Sequence, residues 1–211
     1  MQSSLVPYTV LLTAPSPLFG YFPYRDSDVS VGWNASYTHS TTWPDRAQPT
    51  TSVSTLGAPY RRTRLKGASV SLLFEGTGLF ICFTSSGASY TITLDSVSEA
   101  STSASVDGTP CEQSGAQAIF RADNLSMSSH NATIVVTSTP PDDADFSFFG
   151  GGITLGLNTE GYAVDNTSMI DDQDSSWALE PGRNPGSTWD THFRAWYFNH
   201  TVTFNCLYGA Q

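Results

Sequence analysis

Residues 68–84 read ASVSLLFE, GTG and LFICFT in succession, and their periodicity decides the fold class. Ala68, Val70, Leu72 and Phe74 fall on one side of an extended chain, while Ser69, Ser71 and Glu75 fall on the other. Side chains of a strand alternate between faces, so this is a half-buried strand with one dry face. Residues 79–84 are apolar on both faces, as in a central strand, and Gly76-Thr77-Gly78 reads as the tight turn joining it to the strand before. The period of two recurs on either side. Tyr90, Ile92 and Leu94 alternate with Ser89, Thr91 and Thr93, and Ala132, Ile134 and Val136 alternate with Asn131, Thr133 and Val135. Further strands are expected at 5–13, 18–24, 116–121, 146–149, 153–157 and 191–204. No window holds a helical stripe. Short strands punctuated by Gly, Pro, Ser and Asn predict an all-β antiparallel sandwich.

Composition agrees with that class and excludes others. The chain has 211 residues and a net charge of -10, from 19 acidic and 9 basic side chains. Such a length suits one or at most two domains with a real core. Charged residues make up 13% and aromatics 12%, which is not the composition of a disordered chain. Lys66 is the lone lysine, so the clustered basic excess that a nucleic-acid partner needs is missing. No run approaches the 18 or more apolar residues of a membrane helix.

Near its end the chain echoes itself, where Phe74, Thr77, Phe80 and Cys82 align at one offset with Phe198, Thr201, Phe204 and Cys206. A β-sandwich module is therefore expected over 1–158. Residues 159–211 are read as a linker with an incomplete second β module, or as the final strands of the same domain.

Sequons begin at Asn34, Asn124, Asn131, Asn166 and Asn199, none with Pro in the middle position. Five in so short a chain point to N-glycosylation and to a secreted or cell-surface location. Residues 1–13 lack a basic leader segment and Pro7 interrupts their apolar stretch, so a processed or truncated piece, or an incomplete gene model, is expected. Of three cysteines, Cys82 and Cys111 are the preferred disulfide and Cys206 is left over. The alternative is that Cys82 is simply a small buried hydrophobe.

Candidate ligand contacts follow from chemistry. Trp33, Trp43, Trp177, Trp189 and Trp196 could each offer an indole face to a pyranose, although tryptophan is more often core. Trp43 is the best placed, in a polar segment where Asp45 and Arg46 can bond hydroxyls. Arg61, Arg62, Arg64 and Lys66 form a cationic cluster, and strand alternation puts Arg62, Arg64 and Lys66 on one face, as a patch for an anionic glycan would be. Carboxylates cluster at Asp26/Asp28, Asp142/Asp143/Asp145 and Asp171/Asp172/Asp174. Calcium wants six to eight oxygens, so a structural calcium is an open reading, and no other cofactor or metal is expected. Neither a G-x-S-x-G elbow nor H-E-x-x-H occurs, and His39, His130, His192 and His200 are scattered. On this reading the chain is not an enzyme and has no catalytic residues.

Several segments resemble a family of basidiomycete cell-surface proteins, mostly uncharacterised. These are 16–33, 67–78, 90–95 and 118–136, in the family's order. The resemblance implies a fungal ectodomain with a jelly-roll, galactose-binding-like sandwich, preceding one membrane span that this chain lacks. The expected function is recognition of a cell-wall polysaccharide or cell-surface glycan without catalysis. A structural or sensor ectodomain with a protein partner is the alternative, and a carbohydrate-active hydrolase a third.

Overall fold

The computed structural model describes residues 5–39, 57–99 and 104–157, together with the backbone of two later strands. The chain clusters into two units, Met1–Val164 and Asp165–Gln211. In chain order the first holds β1 (Val6–Thr13), β2 (Phe19–Phe22), β3 (Asn34–Tyr37), β4 (Pro59–Thr63), β5 (Ser69–Gly76), β6 (Gly78–Thr84), β7 (Tyr90–Leu94) and β8 (Val97–Glu99). A four-residue helix, α1 (Pro110–Gln113), precedes β9 (Ala118–Ala122), β10 (Ser128–Val136) and β11 (Phe146–Leu157).

The strands make two antiparallel sheets, in keeping with the alternation. One runs β3-β4-β11-β6-β9, with β1 also on β11; the other runs β2-β5-β10-β7-β8. Their dry faces meet in one core. The second sheet contributes Val70, Leu72 and Phe74, Ile92, and Ala132, Ile134 and Val136, the residues that the period of two marks. The first contributes Leu79, Ile81, Phe83, Phe146, Phe148 and Ile153. Rings cross between the sheets edge to face, with Phe19 to Phe148 at 4.9 Å and Phe83 to Tyr90 at 4.8 Å between centroids. Such geometry suits the ring quadrupoles and adds to area burial.

Two expectations about turns need correction. Gly76-Thr77-Gly78 does not close a hairpin, because β5 and β6 belong to different sheets. It is the corner where the chain changes layer, and Thr77 N–H donates to the Thr154 carbonyl at 2.7 Å. A Cβ on Gly76 would lie 2.5 Å from that carbonyl oxygen, so only glycine fits. Likewise 146–149 and 153–157 are one strand of 12 residues, with a register shift between Phe148 and Gly150. β4 takes its first residues, β1 takes 150–157, and β6 runs along it. Glycines hide this continuity in the sequence. Gly150 has φ +108°, and a Cβ on Gly151 would stand 2.1 Å from the Phe80 carbonyl oxygen.

β6 is buried on both faces for a reason beyond the sandwich core. Its outward Phe80 and Cys82 join Ile119 and Phe149 in a second cluster, with Cys111 and Ala116. The segment carrying α1 covers this face, and Cys82 and Cys111 are joined in a disulfide across a Cα–Cα distance of 5.2 Å. Among the described residues no helix is long and apolar enough to cross a membrane.

In the second unit, β12 (Trp177–Glu180) pairs antiparallel with β13 (Thr201–Phe204). Within the expected strand 191–204, only Thr201–Phe204 is described. The rest of 159–211, including the other residues of the apparent repeat, lies outside the described residues.

Candidate functional site

The strongest candidate site grows from the connection between β2 and β3. Asp28 opens a turn in which its Oδ1 accepts from Ser30 N at 2.9 Å and Ser30 Oγ at 2.7 Å, and these bonds hold its carboxyl below the usual aspartate range. Ser27 N donates to the Trp33 carbonyl at 2.7 Å, and Trp33 N donates to the Tyr24 carbonyl at 2.9 Å. Beneath the loop the Trp33 indole is fully buried, with Nε1 donating to the Phe22 carbonyl at 3.0 Å. Trp33 is thus core and offers no stacking face. Thr63 Oγ1, also fully buried, donates to the Gly32 carbonyl at 2.7 Å and fixes the loop to β4.

This hydrogen-bonded loop forms one wall of a pocket of about 580 Å³ lined by Pro15, Arg25, Asp26, Ser27, Asn34, Ala35 and Arg61. Arg61 is its floor. Although arginine is rarely inside a protein, this one is 3% exposed. Its Nη1 donates to the Arg25 carbonyl at 2.9 Å and forms an ion pair with Asp26 Oδ1. The Asp26 side chain is 65% exposed, so the pair joins a buried cation to a carboxylate in solvent. Arg25 Nη2 donates to the Pro15 carbonyl. Both guanidiniums sit over one ring, Tyr21, at 5.6 Å for Arg61 and 5.7 Å for Arg25. Burial keeps the Tyr21 phenol neutral, far above the ordinary tyrosine range, although both arginines pull the other way. Its hydroxyl donates to the Ala14 carbonyl at 2.7 Å.

The sequence-derived contacts fare differently. Trp43, Asp45 and Arg46 belong to the connection between β3 and β4 and lie outside the described residues. Arg62 and Arg64 do converge, but on Asp145, at 2.8 Å and 2.6 Å, and Arg64 also reaches Asp143 at 3.2 Å. The hydrogen bond that Arg64 donates to Asp145 raises the Arg64 pKa. The cationic patch is therefore an ion-pair cluster, while Lys66 stands exposed. Those same pairings engage Asp143 and Asp145 of the calcium reading, and Asp28 is bonded to Ser30. Asp26 is on Arg61, and among the described residues no group of three or more His, Cys, Asp or Glu could hold a metal. Asp171, Asp172 and Asp174 lie outside them.

Of the sequons, Asn124 and Asn131 are exposed, whereas Asn34 is half-buried and its Nδ2 donates to the Ser27 carbonyl at 3.0 Å. Asn166 and Asn199 lie outside the described residues. His130 is buried in β10, with Nδ1 2.6 Å from Asp95 Oδ2 and Nε2 2.8 Å from the Ser126 carbonyl. The Asp95 bond raises the His130 pKa, and the His130 bond lowers that of Asp95. An acceptor on each nitrogen favours the imidazolium form, and Ser128 Oγ lies 3.3 Å from Nε2.

No family model and no curated protein matches the chain. Two solved structures resemble it, both of a two-domain esterase (CEX) active on acetylated mannans, one of them co-crystallised with mannopentaose. The complex aligns with TM-score 0.40 and 13% identity over 70% of this chain, and the other with 0.41 and 13% over 74%. The chain spans 36% and 38% of their lengths. One expectation is corrected on this finding: the reading of the chain as no enzyme is withdrawn, since the solved structures found are of an esterase. Neither an active site nor a substrate passes to this chain from a likeness at that level. What the residues themselves establish is an antiparallel β-sandwich with a charged pocket formed by the connections on either side of β2 together with β3 and β4.

Proposed function

We propose that this chain recognises carbohydrate as a secreted or cell-surface module, through the pocket floored by Arg61. The observation that carries the reading is the convergence of Arg25, Asp26, Ser27 and Asn34 on one cleft. Guanidinium, carboxylate and amide groups supply the paired donors and acceptors that sugar hydroxyls need. Tyr24, 62% exposed and next to Arg25 in the chain, supplies a ring for the apolar face of a pyranose. A disulfide and the exposed sequons at Asn124 and Asn131 support an extracellular setting. The fungal surface family that the sequence resembles fits the same setting.

The test is binding of the full chain, secreted from a eukaryotic host, to a panel of wall polysaccharides with and without calcium. Saturable binding to one class is expected, lost in Trp43→Ala and Tyr24→Ala at unchanged melting temperature. Absence of binding by a folded sample refutes the reading and promotes a structural or sensor ectodomain with a protein partner.

A further inference from the structure

We infer that Asn131 carries an N-linked glycan whose first N-acetylglucosamine is a structural part of the second sheet, packed over Leu73. This rests on the extracellular reading and goes beyond it, assigning one sequon and what its sugar covers. The outward face of that sheet is largely clad in hydroxyls. By the pairing register, Ser71, Thr133 and Thr93 make one row across β5, β10 and β7, and Ser69, Val135 and Thr91 make the next. In the row on the other side, Leu73 of β5 stands directly opposite Asn131 of β10. Leu73 is 70% exposed, the most exposed of the large apolar side chains described. It sits on an inner strand between two polar neighbours on its own face, Ser71 and Glu75. Removing so open an apolar side chain from water is favourable, and the group best placed to do so is one attached across the pair.

Asn131 is exposed, and its backbone turns toward β7. Its N–H donates to Asp95 Oδ1 at 2.8 Å, and its carbonyl accepts from Asp95 N at 2.9 Å. Toward β5 it therefore makes a non-hydrogen-bonded pair, the kind in which Cα atoms stand about 4.5 Å apart and side chains come closest. Among the described residues no group bonds its side-chain amide, whereas Asn34 Nδ2 donates to the Ser27 carbonyl. Glycosylation joins Asn131 Nδ2 to the anomeric carbon of the sugar, breaks that carbon's bond to the diphosphate of a lipid-linked donor, and releases one amide proton. β10 is paired on both sides, so the transfer precedes its docking between β5 and β7. The first ring then grows from an outward amide beside its nearest cross-strand neighbour. Its C–H face and acetamido methyl group match Leu73, and its hydroxyls face water and the row of Ser71 and Thr133.

The experiment uses the full chain secreted by a eukaryotic host that leaves high-mannose glycans. Peptide mass mapping is expected to find Asn131 glycosylated. Asn131→Gln and, independently, Thr133→Val remove that sugar, and each is expected to lower the melting temperature by about 2–4 °C and raise binding of a hydrophobic dye. Leu73→Ser is expected to cost the glycosylated chain a similar shift and to cost the Asn131→Gln chain nothing, so that the two changes are non-additive. Trimming the glycan to one N-acetylglucosamine with an endoglycosidase is expected to leave the melting temperature in place, because the first ring makes the contact. Ser126→Ala, which removes the Asn124 sequon, is the control and is expected to leave the effect of Leu73→Ser unchanged. Asn131 bare while Asn124 is glycosylated, or additive effects of Asn131→Gln and Leu73→Ser, overturns the inference and leaves the extracellular reading standing. A secreted chain with no sugar on either asparagine overturns both.

Discussion

Changing Cys82 and Cys111 together to alanine, in a Cys206→Ser background that leaves no thiol to reshuffle, removes the one covalent tie between α1 and β6. The bond closes a loop across a sequence separation of 29. Loop-closure entropy for that length is worth about 3–4 kcal/mol of stability at 25 °C. For a domain of this size each kcal/mol moves the melting temperature by about 2–4 °C, so a fall of roughly 7–14 °C is expected. Alanine keeps both positions apolar, and the loss is therefore expected to report the tie more than the packing of Phe80, Ile119 and Phe149. Thermal and urea unfolding measure it. Limited proteolysis is expected to cut first within 104–117, exposing that cluster to a hydrophobic dye while the sandwich core stays folded. A melting temperature within about 2 °C of the parent, with unchanged cleavage sites, refutes the reasoning and assigns the cover to apolar contact alone.

Other consequences are checked as directly. Thr63→Val keeps the shape but deprives the Gly32 carbonyl and the Leu65 N–H of their buried partner, and is expected to cost about 1–3 kcal/mol in urea unfolding. The His130–Asp95 pair links stability to pH in two directions. Asp95, with its lowered pKa, contributes above the ordinary aspartate range and loses that contribution as pH falls through the folded value. His130, with its raised pKa, contributes below the ordinary histidine value and loses it as pH rises through the folded one. The urea midpoint is thus expected to be highest between about pH 4 and 6.5, and Asp95→Asn to flatten both arms. Asparagine accepts the left-handed φ of 50° at that position, so the variant tests charge and not backbone strain. Gly150→Ala, at φ +108° and with its Cβ 2.1 Å from the Leu12 carbonyl oxygen, is expected to abolish the pairing of β1, read as loss of soluble folded protein.

Where strands obey a strict period of two, the sequence alone was enough. Residues 68–75, 90–95 and 131–136 show their dry faces because each neighbour in the sheet is equally regular. β3 and β4 escaped notice, since Arg61 breaks the apolar pattern on the inward face. Its orientation depends on Asp26, 35 positions earlier, and no local window contains both. The Arg62 and Arg64 pair was visible as charge, but its partner Asp145 lies 83 and 81 positions away. For the same reason the pocket was hidden: its walls come from two connections and from the strands β3 and β4, and only the fold brings them together. The corner at Gly76-Thr77-Gly78 shows the converse limit, because a sharp bend in sequence does not say which sheet the chain enters next.

β11 has a consequence for how the protein is made. It is the last strand of the sandwich to leave the ribosome, yet β1, β4 and β6 all need it as a partner. Until Leu157 has emerged, β1 waits with its hydrogen-bonding edge open and the first sheet lacks its centre. The nascent chain must therefore hold β1, β4 and β6 without this partner until β11 emerges, and folding should be slow and sensitive to aggregation at the stage just before β11 docks.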